Sequence, residues 1–462
     1  MRRRKQSERL RIPQPLIKRR IPSGRGATEQ PNVTGDGDAA LTPRFWLLIV
    51  VTGVAAGLLG DLMMMLLFEV QEVAFGYRTG TFQAAVERSS STRRVSSLLI
   101  AGLIGGVGWY FLRRHTKGEK SDVDDVIWNG DGRLSFRRSL GTSVISEIVI
   151  GMGASIGREA APKLMGGASA SVFAGWANLS AAQRRLLVAC GGGAGFAAVY
   201  NVPLGGALFT AEILVGTLSL PVVMPAVACS FVASATAWLY LPNRATYFDI
   251  PAYQYNHRLL VWALIVGPII GLFAVGYIRL VGWVSHHRAV GRRALVAPLV
   301  AFGILGVISI KYPQLLGNGK DMANDVFIGE GGLALLAALF ILKPLVTSLC
   351  LGSGASGGLF TPVMSTGAVL GAFLGLAWSH LWPGSPLGPY AMIGAAAMIG
   401  AGMQAPLAAL LLVLELTHSG FSIMVPMMAA TVIATAVSRH VDGYSIYSAR
   451  LAASESEPSN DA

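Results

Sequence analysis

Gly157-Arg158-Glu159-Ala160-Ala161-Pro162 sets an arginine and a glutamate side by side in a glycine-rich stretch that is otherwise apolar. Ionisable groups at membrane depth are costly enough that a function is the first explanation for them. Glycines close to a proline imply irregular backbone and a helix that begins midway, where unpaired N–H groups and the positive end of the helix dipole attract anions. The stretch therefore suggests an anion path with one carboxylate, Glu159, standing in it. A simple Arg158–Glu159 ion pair is the plainer account. Neighbours on a helix point in different directions, however, so that pairing has poor geometry.

The elements that must position these groups are membrane helices. Of the 462 residues, 53% are hydrophobic and only 13% charged, unlike an ordinary soluble protein. Apolar runs such as Phe45 to Phe68, Leu98 to Leu112, Leu259 to Ile278 and Leu333 to Leu351 recur along the chain. They amount to roughly ten to fourteen candidate segments, several too short to cross a bilayer alone. The expected class is an all-α polytopic membrane protein. Its 56 glycines suit helices that pack backbone to backbone, where lipid supplies no hydrophobic drive for association. Cys190, Cys229 and Cys350 lie in apolar segments without metal-ligand spacing, which predicts inert core residues and no metal site.

Net charge is +12, and ten of the 37 Lys and Arg residues fall within the first 25 positions. No aromatic interleaving accompanies them, so a cytoplasmic anchor over residues 1–44 is expected rather than a nucleic-acid arm. With that tail inside, the near-neutral segments Glu72 to Arg94, Asn243 to His257 and Lys311 to Glu330 fall outside. The basic stretches at Arg113 to Lys120, Arg288 to Arg293 and Arg439 to Arg450 fall inside. Both termini are expected in the cytoplasm.

An internal repeat connects the halves. Gly153-Ala154-Ser155-Ile156-Gly157-Arg158-Glu159-Ala160-Ala161-Pro162 is echoed by Gly354-Ala355-Ser356-Gly357-Gly358-Leu359-Phe360-Thr361-Pro362, about 200 residues later. Behind them, Val202-Pro203-Leu204-Gly205-Gly206 leads to Glu212, and Ala405-Pro406-Leu407-Ala408-Ala409 leads to Glu415. The Pro-to-Glu spacing is nine in both. Duplicated halves with broken helices at matching positions mark the substrate site of a secondary transporter fold.

On Gly157-Arg158-Glu159, on Gly352-Ser353-Gly354-Ala355-Ser356-Gly357-Gly358-Leu359-Phe360-Thr361-Pro362 and on Asn201-Val202-Pro203-Leu204-Gly205-Gly206 with Glu212, the chain resembles the CLC family of chloride channels and proton/chloride antiporters. The resemblance runs from about Phe45 to Leu451. It implies a CLC-type fold of two inverted-topology repeats with broken and re-entrant helices, the halves at about 45–241 and 258–451, a polar tail over 452–462, and a homodimer in the inner membrane with one pore per subunit. Chloride would be the transported ligand, with no cofactor. It would be held by partial charges, because a full positive charge binds an anion too tightly to release it.

The same resemblance implies roles for single residues. Glu159 matches the gating glutamate, with Arg158 beside it at the anion path. Leu359 and Phe360 match positions whose backbone amides contact the central ion. Tyr447 matches the inner tyrosine that donates its hydroxyl; Tyr444 is a rival. Ser121 matches the serine of a Gly-Ser-Gly-Ile-Pro signature of which only the serine survives, and an ordinary helix cap is compatible with that role. A serine there implies chloride in preference to nitrate. The neighbouring Asp122 would repel anions unless it turns away or pairs with Lys120 or Arg114.

Two readings of transport stay open. The antiporters usually carry an inner glutamate after the position of Glu212, and here that place is Ile213, which cannot bind a proton. This resembles the bacterial ClcB-type voltage-gated branch and favours passive chloride movement, with a possible role as an electrical shunt in acid stress. Proton/chloride exchange is the alternative. A cation-coupled carrier or a sensor belongs to another class, and the few acids in the spans speak against a cation site. No catalytic triad or nucleotide loop stands out, so enzyme activity is not expected.

Overall fold

The computed structural model describes residues 41–451. The basic tail up to residue 40 and the polar tail at 452–462 lie outside the described residues. In chain order the first half contains α1 (Pro43–Phe75), α2 (Phe82–Arg88), α3 (Ser91–His115), α4 (Val123–Trp128), α5 (Phe136–Gly151), α6 (Ala160–Trp176), α7 (Ala181–Tyr200), α8 (Pro203–Leu208) and α9 (Leu220–Ala237). The second contains α10 (His257–His286), α11 (Arg293–Lys311), α12 (Lys320–Ile328), α13 (Leu333–Gly352), α14 (Phe360–Ser379), α15 (Leu387–Met403), α16 (Pro406–Thr417), α17 (Met424–Val441) and α18 (Ser448–Leu451). A π-helical segment, Phe209–Val215, continues α8.

Eight helices among the described residues are long and apolar enough to cross a membrane: α1, α3, α9, α10, α11, α13, α14, and α17 together with the turn before it. Pro203–Val215, Leu387–Met403 and Pro406–Thr417 are apolar but shorter. At 1.5 Å per residue each is shorter than a hydrocarbon core of about 30 Å.

Packing repeats with the sequence. In the first half α1 lies against α5, α6, α7 and α9, and α3 against α5. In the second, α10 lies against α13, α14, α15 and α17, and α11 against α13. The long helices α3 and α11 join the halves. Small residues make the closest crossings. A methyl group added to Gly166 on α6 would strike the carbonyl of Gly191 on α7; one on Gly371 of α14 would strike α15 at Tyr390 and Gly394. Both crossings use glycine because the backbones touch.

Prolines start the broken helices. Pro203 opens α8 and Pro406 opens α16, where the missing N–H is no loss and the fixed φ suits a first turn. Pro162 stands at the third position of α6, still in its first turn, so the displaced proline leaves the helix start intact.

Candidate anion pathway and its gate

Two loops, one from each half, meet at the centre. Gly157 N donates to Gly358 O at 2.8 Å, and Gly358 N to Gly157 O at 2.7 Å. This pairing brings the N-terminus of α6, capped by Glu159, beside the N-terminus of α14. A methyl group on either Gly157 or Gly358 would overlap the Glu159 carboxylate, so both glycines clear space for it.

Glu159 is buried, 2% exposed, and its acid is held on three sides. Oε1 accepts the backbone amide of Phe360 at 2.7 Å. Oε2 lies 3.2 Å from the Tyr200 hydroxyl and 3.2 Å from the Thr361 hydroxyl. Those two hydroxyls are 2.6 Å apart. The amide of Phe360 is one of the unpaired donors at the start of α14, where the dipole is positive. A carboxylate seated there occupies a place fit for an anion, and the two compete for the same donors.

Arg158 does not take part in that grip. Its guanidinium stands over the Tyr200 ring, 5.2 Å from the centroid, and its Nε is buried without a partner. On its other side Arg158 lines a cavity of about 460 Å³ together with Tyr200, Arg244, Asn318, Lys320 and Asp321. Residues from 77–83, 238–248 and 314–322 form its walls, so the three near-neutral loops face one side of the molecule. On the opposite side Arg113 donates to Gly354 O at 2.5 Å, Ala289 N to Gly352 O at 3.0 Å, and His286 contacts Ala449 O at 3.1 Å. The basic segments gather there.

Lys320, at the start of α12 and in none of the spanning helices, holds its ammonium 5.7 Å from the Phe248 ring centroid. Burial pushes that ammonium down to about 8; Asp321 opposes the shift, while Arg158 and Arg244 add to it. The cavity thus sets four cationic side chains, Arg78, Arg158, Arg244 and Lys320, among three acidic ones, Glu69, Glu72 and Asp321.

Toward the other end the rings form a chain. Phe360 meets Phe196 edge-on at 4.9 Å, Phe196 stacks on Phe209 at 4.6 Å, and Phe209 meets Tyr447 edge-on at 6.3 Å. Tyr447 is buried, whereas its rival Tyr444 is only partly so. Leu359 caps α14 and is fully buried. Glu159, Leu359 and Phe360 thus lie together, with Tyr447 beyond the rings.

Ser121 is half-buried, two residues before the first residue of α4, and the cap of α4 is Asp122, whose Oδ1 accepts Asp124 N at 3.0 Å and Asp125 N at 3.2 Å. The capping role considered for Ser121 belongs to Asp122. That side chain is exposed and turned onto the helix, while Lys120 pairs with Asp125 at 3.1 Å.

Four residues escaped the sequence reading. Tyr200 and Thr361 hold the Glu159 carboxylate, although each borders or lies within a motif named above. Lys163, four residues after Glu159, pairs with Asp124 at 2.8 Å and stands 4.9 Å over the Tyr447 ring. Its signal was a lone charge in a helix otherwise without one. Glu147, on α5, is fully buried. Ile213 lies in the π-helical segment, 6% exposed, with no polar atom to offer. Glu212 beside it turns away, its Oε2 accepting Ala408 N at 2.7 Å.

Known proteins resemble this chain along most of its length. The family profile described as Voltage gated chloride channel matches residues 97–439. The chain is 30% identical over 382 residues to the voltage-gated ClC-type chloride channel ClcB of Citrobacter koseri, covering 80% of this chain and 89% of that protein. It is 26% identical over 378 residues to the H(+)/Cl(-) exchange transporter ClcA of Vibrio campbellii, covering 77% and 79%. Among solved structures, a slow cyanobacterial Cl-/H+ antiporter superposes with a TM-score of 0.77 at 21% identity, over 89% of this chain and 98% of that one. Loops paired across two repeats, an acid seated on a helix N-terminus and a profile match over most of the chain converge: this protein belongs to the CLC family.

Proposed function

We propose that the chain carries chloride across the inner membrane of a bacterium, through a path that Glu159 gates. One observation carries the reading: the Glu159 carboxylate sits on the Phe360 amide at the N-terminus of α14. Chloride competes for that donor, and a proton on Glu159 removes the charge that holds the acid there. Either event frees the place for the ion. Tyr447, Leu359 and Phe360 line its onward course, and Arg158 with the outer cavity gathers anions. Ser121 contributes at the inner mouth and favours chloride over nitrate.

Movement is passive in this proposal, and the voltage-gated type is its nearest description. The support is Ile213, an aliphatic side chain where an inward proton relay would need an acid. A homodimer is part of the same reading. Leu204 and Leu407, at the starts of the adjoining helices α8 and α16, leave about half of their surface exposed for a second copy to cover (49% and 48%). Both tails face the cytoplasm, as the positive loops favour.

Reconstitution into liposomes, with chloride efflux and proton uptake recorded together, tests the proposal. Chloride flux with no accompanying proton movement is expected. A fixed proton-to-chloride ratio, held against an opposing gradient, would replace the passive reading by exchange.

A further inference from the structure

Glu147 has no place in the scheme above, yet it is the more unusual acid. It is fully buried on α5, and neither carboxylate oxygen has a hydrogen-bond partner. An ionised carboxylate without donors is among the costliest groups to keep away from water, whereas a neutral carboxylic acid costs far less. Its helix is fastened to both gate loops. Ser146 donates to Ser356 O at 2.7 Å, and Ser143 to Ala161 O at 3.4 Å.

Ser143 lies one turn before Glu147 on the same face of α5, so its contact with Ala161 O turns Glu147 toward the start of α6, where Arg158 and Glu159 are the charges that act on it. Other ionisable groups on the helices packed against α5 are engaged elsewhere or are not among them. On α1, Glu72 pairs with Arg78 at 2.6 Å, and Asp61 and Glu69 are not among the charges that act on Glu147. On α3, Arg94 donates to the carbonyls of Val86, Glu87 and Ser309, and Arg113 to Gly354. On α6, Lys163 is held by Asp124. Arg137 and Arg138 stand at the far end of α5 itself.

We infer that Glu147 and Glu159 share one proton, so that Glu147 is the internal proton donor that releases the gate. When chloride reaches α14, the O–H bond of the Glu147 acid breaks and a new O–H bond forms on the Glu159 carboxylate. The negative charge passes to Glu147, where the Arg158 guanidinium receives it, and neutral Glu159 gives up the Phe360 amide to chloride. No proton has to cross the membrane, so the step is compatible with passive flux. Two interacting acids with one proton titrate as a pair, and removing one acid lowers the proton affinity of the other. The inference rests on Glu159 being the gate.

The test measures chloride efflux from liposomes against pH for the full chain and for Glu147→Gln, with Glu159→Gln as the control for the gate. Glu147→Gln should move the midpoint of flux toward acid by about one pH unit. A folded Glu147→Gln protein with the wild-type midpoint overturns the inference, provided Glu159→Gln abolishes the pH response. Retention of the response in Glu159→Gln overturns the gate reading instead. A second measurement needs no variant: the infrared difference between chloride-bound and chloride-free wild-type protein. A chloride-linked shift in the C=O band of a protonated carboxyl is expected, and a flat difference there overturns the proton transfer.

Discussion

Glu415 accepts the backbone amide of Gly205 at 2.6 Å, across the boundary between the two halves. Its oxygen Oε1 also takes Leu204 N at 3.1 Å. The relation is returned by Glu212, which accepts Ala408 N at 2.7 Å and Leu407 N at 3.4 Å. Each repeat thus supplies the acid that caps the proline-started helix of the other. The equal Pro-to-Glu spacing has a physical purpose, because the free amides of α8 and α16 have no partner within their own helices.

Removing either cap should destabilise the fold and leave the anion path alone. Glu212→Ala or Glu415→Ala is expected to cost about 1–3 kcal/mol. The corresponding Gln variants keep an acceptor and lose about half as much, since charge-assisted bonds are roughly twice as strong. Denaturant unfolding in detergent checks this; chloride selectivity should stay unchanged in every folded variant.

At the gate, Glu159→Ala removes the group that competes with chloride for the Phe360 amide. Flux should rise, and its dependence on outer pH should disappear. Efflux assays over the acid-to-neutral range check both. An unchanged pH response in a folded variant would remove Glu159 from the gate.

Near Tyr447, the largely buried Lys163–Asp124 pair sets two opposite charges side by side, which would keep the proposed anion path close to neutral. Lys163→Met leaves Asp124 facing chloride alone. One uncompensated charge near an anion costs about 1–4 kcal/mol at an effective dielectric of about 20, so flux should fall at least about fivefold. Breaking the pair also costs about 3–5 kcal/mol of stability. The Lys163→Met, Asp124→Leu double variant should recover much of both, as read by flux and thermal unfolding.

In the cavity beside Arg158, Lys320 has its ammonium held down to about 8. It is charged below that value and neutral above it. Raising the outer pH past about 8 should therefore weaken apparent chloride affinity, by about 1 kcal/mol or roughly fivefold. Lys320→Gln should show the weaker affinity at all pH values. Initial rates at graded outer chloride provide the measurement.

The amino-acid sequence by itself determined the membrane class and the duplication, and singled out Glu159 as a charge in an apolar, glycine-rich stretch. Each of these is written in local signals: apolar runs, glycines beside prolines, and a charge where charge is costly. Tertiary structure alone decided what surrounds Glu159. The Phe360 amide lies 201 residues away and the Tyr200 hydroxyl 41, and no local pattern records which loops cross. Ser121 and Asp122 show the same limit at short range, because only folded backbone tells which of two adjacent polar residues caps α4. Glu147 and Lys163 were visible as charges in apolar helices; whether each had a partner depended on how the helices packed, and that left Lys163 paired and Glu147 without a donor.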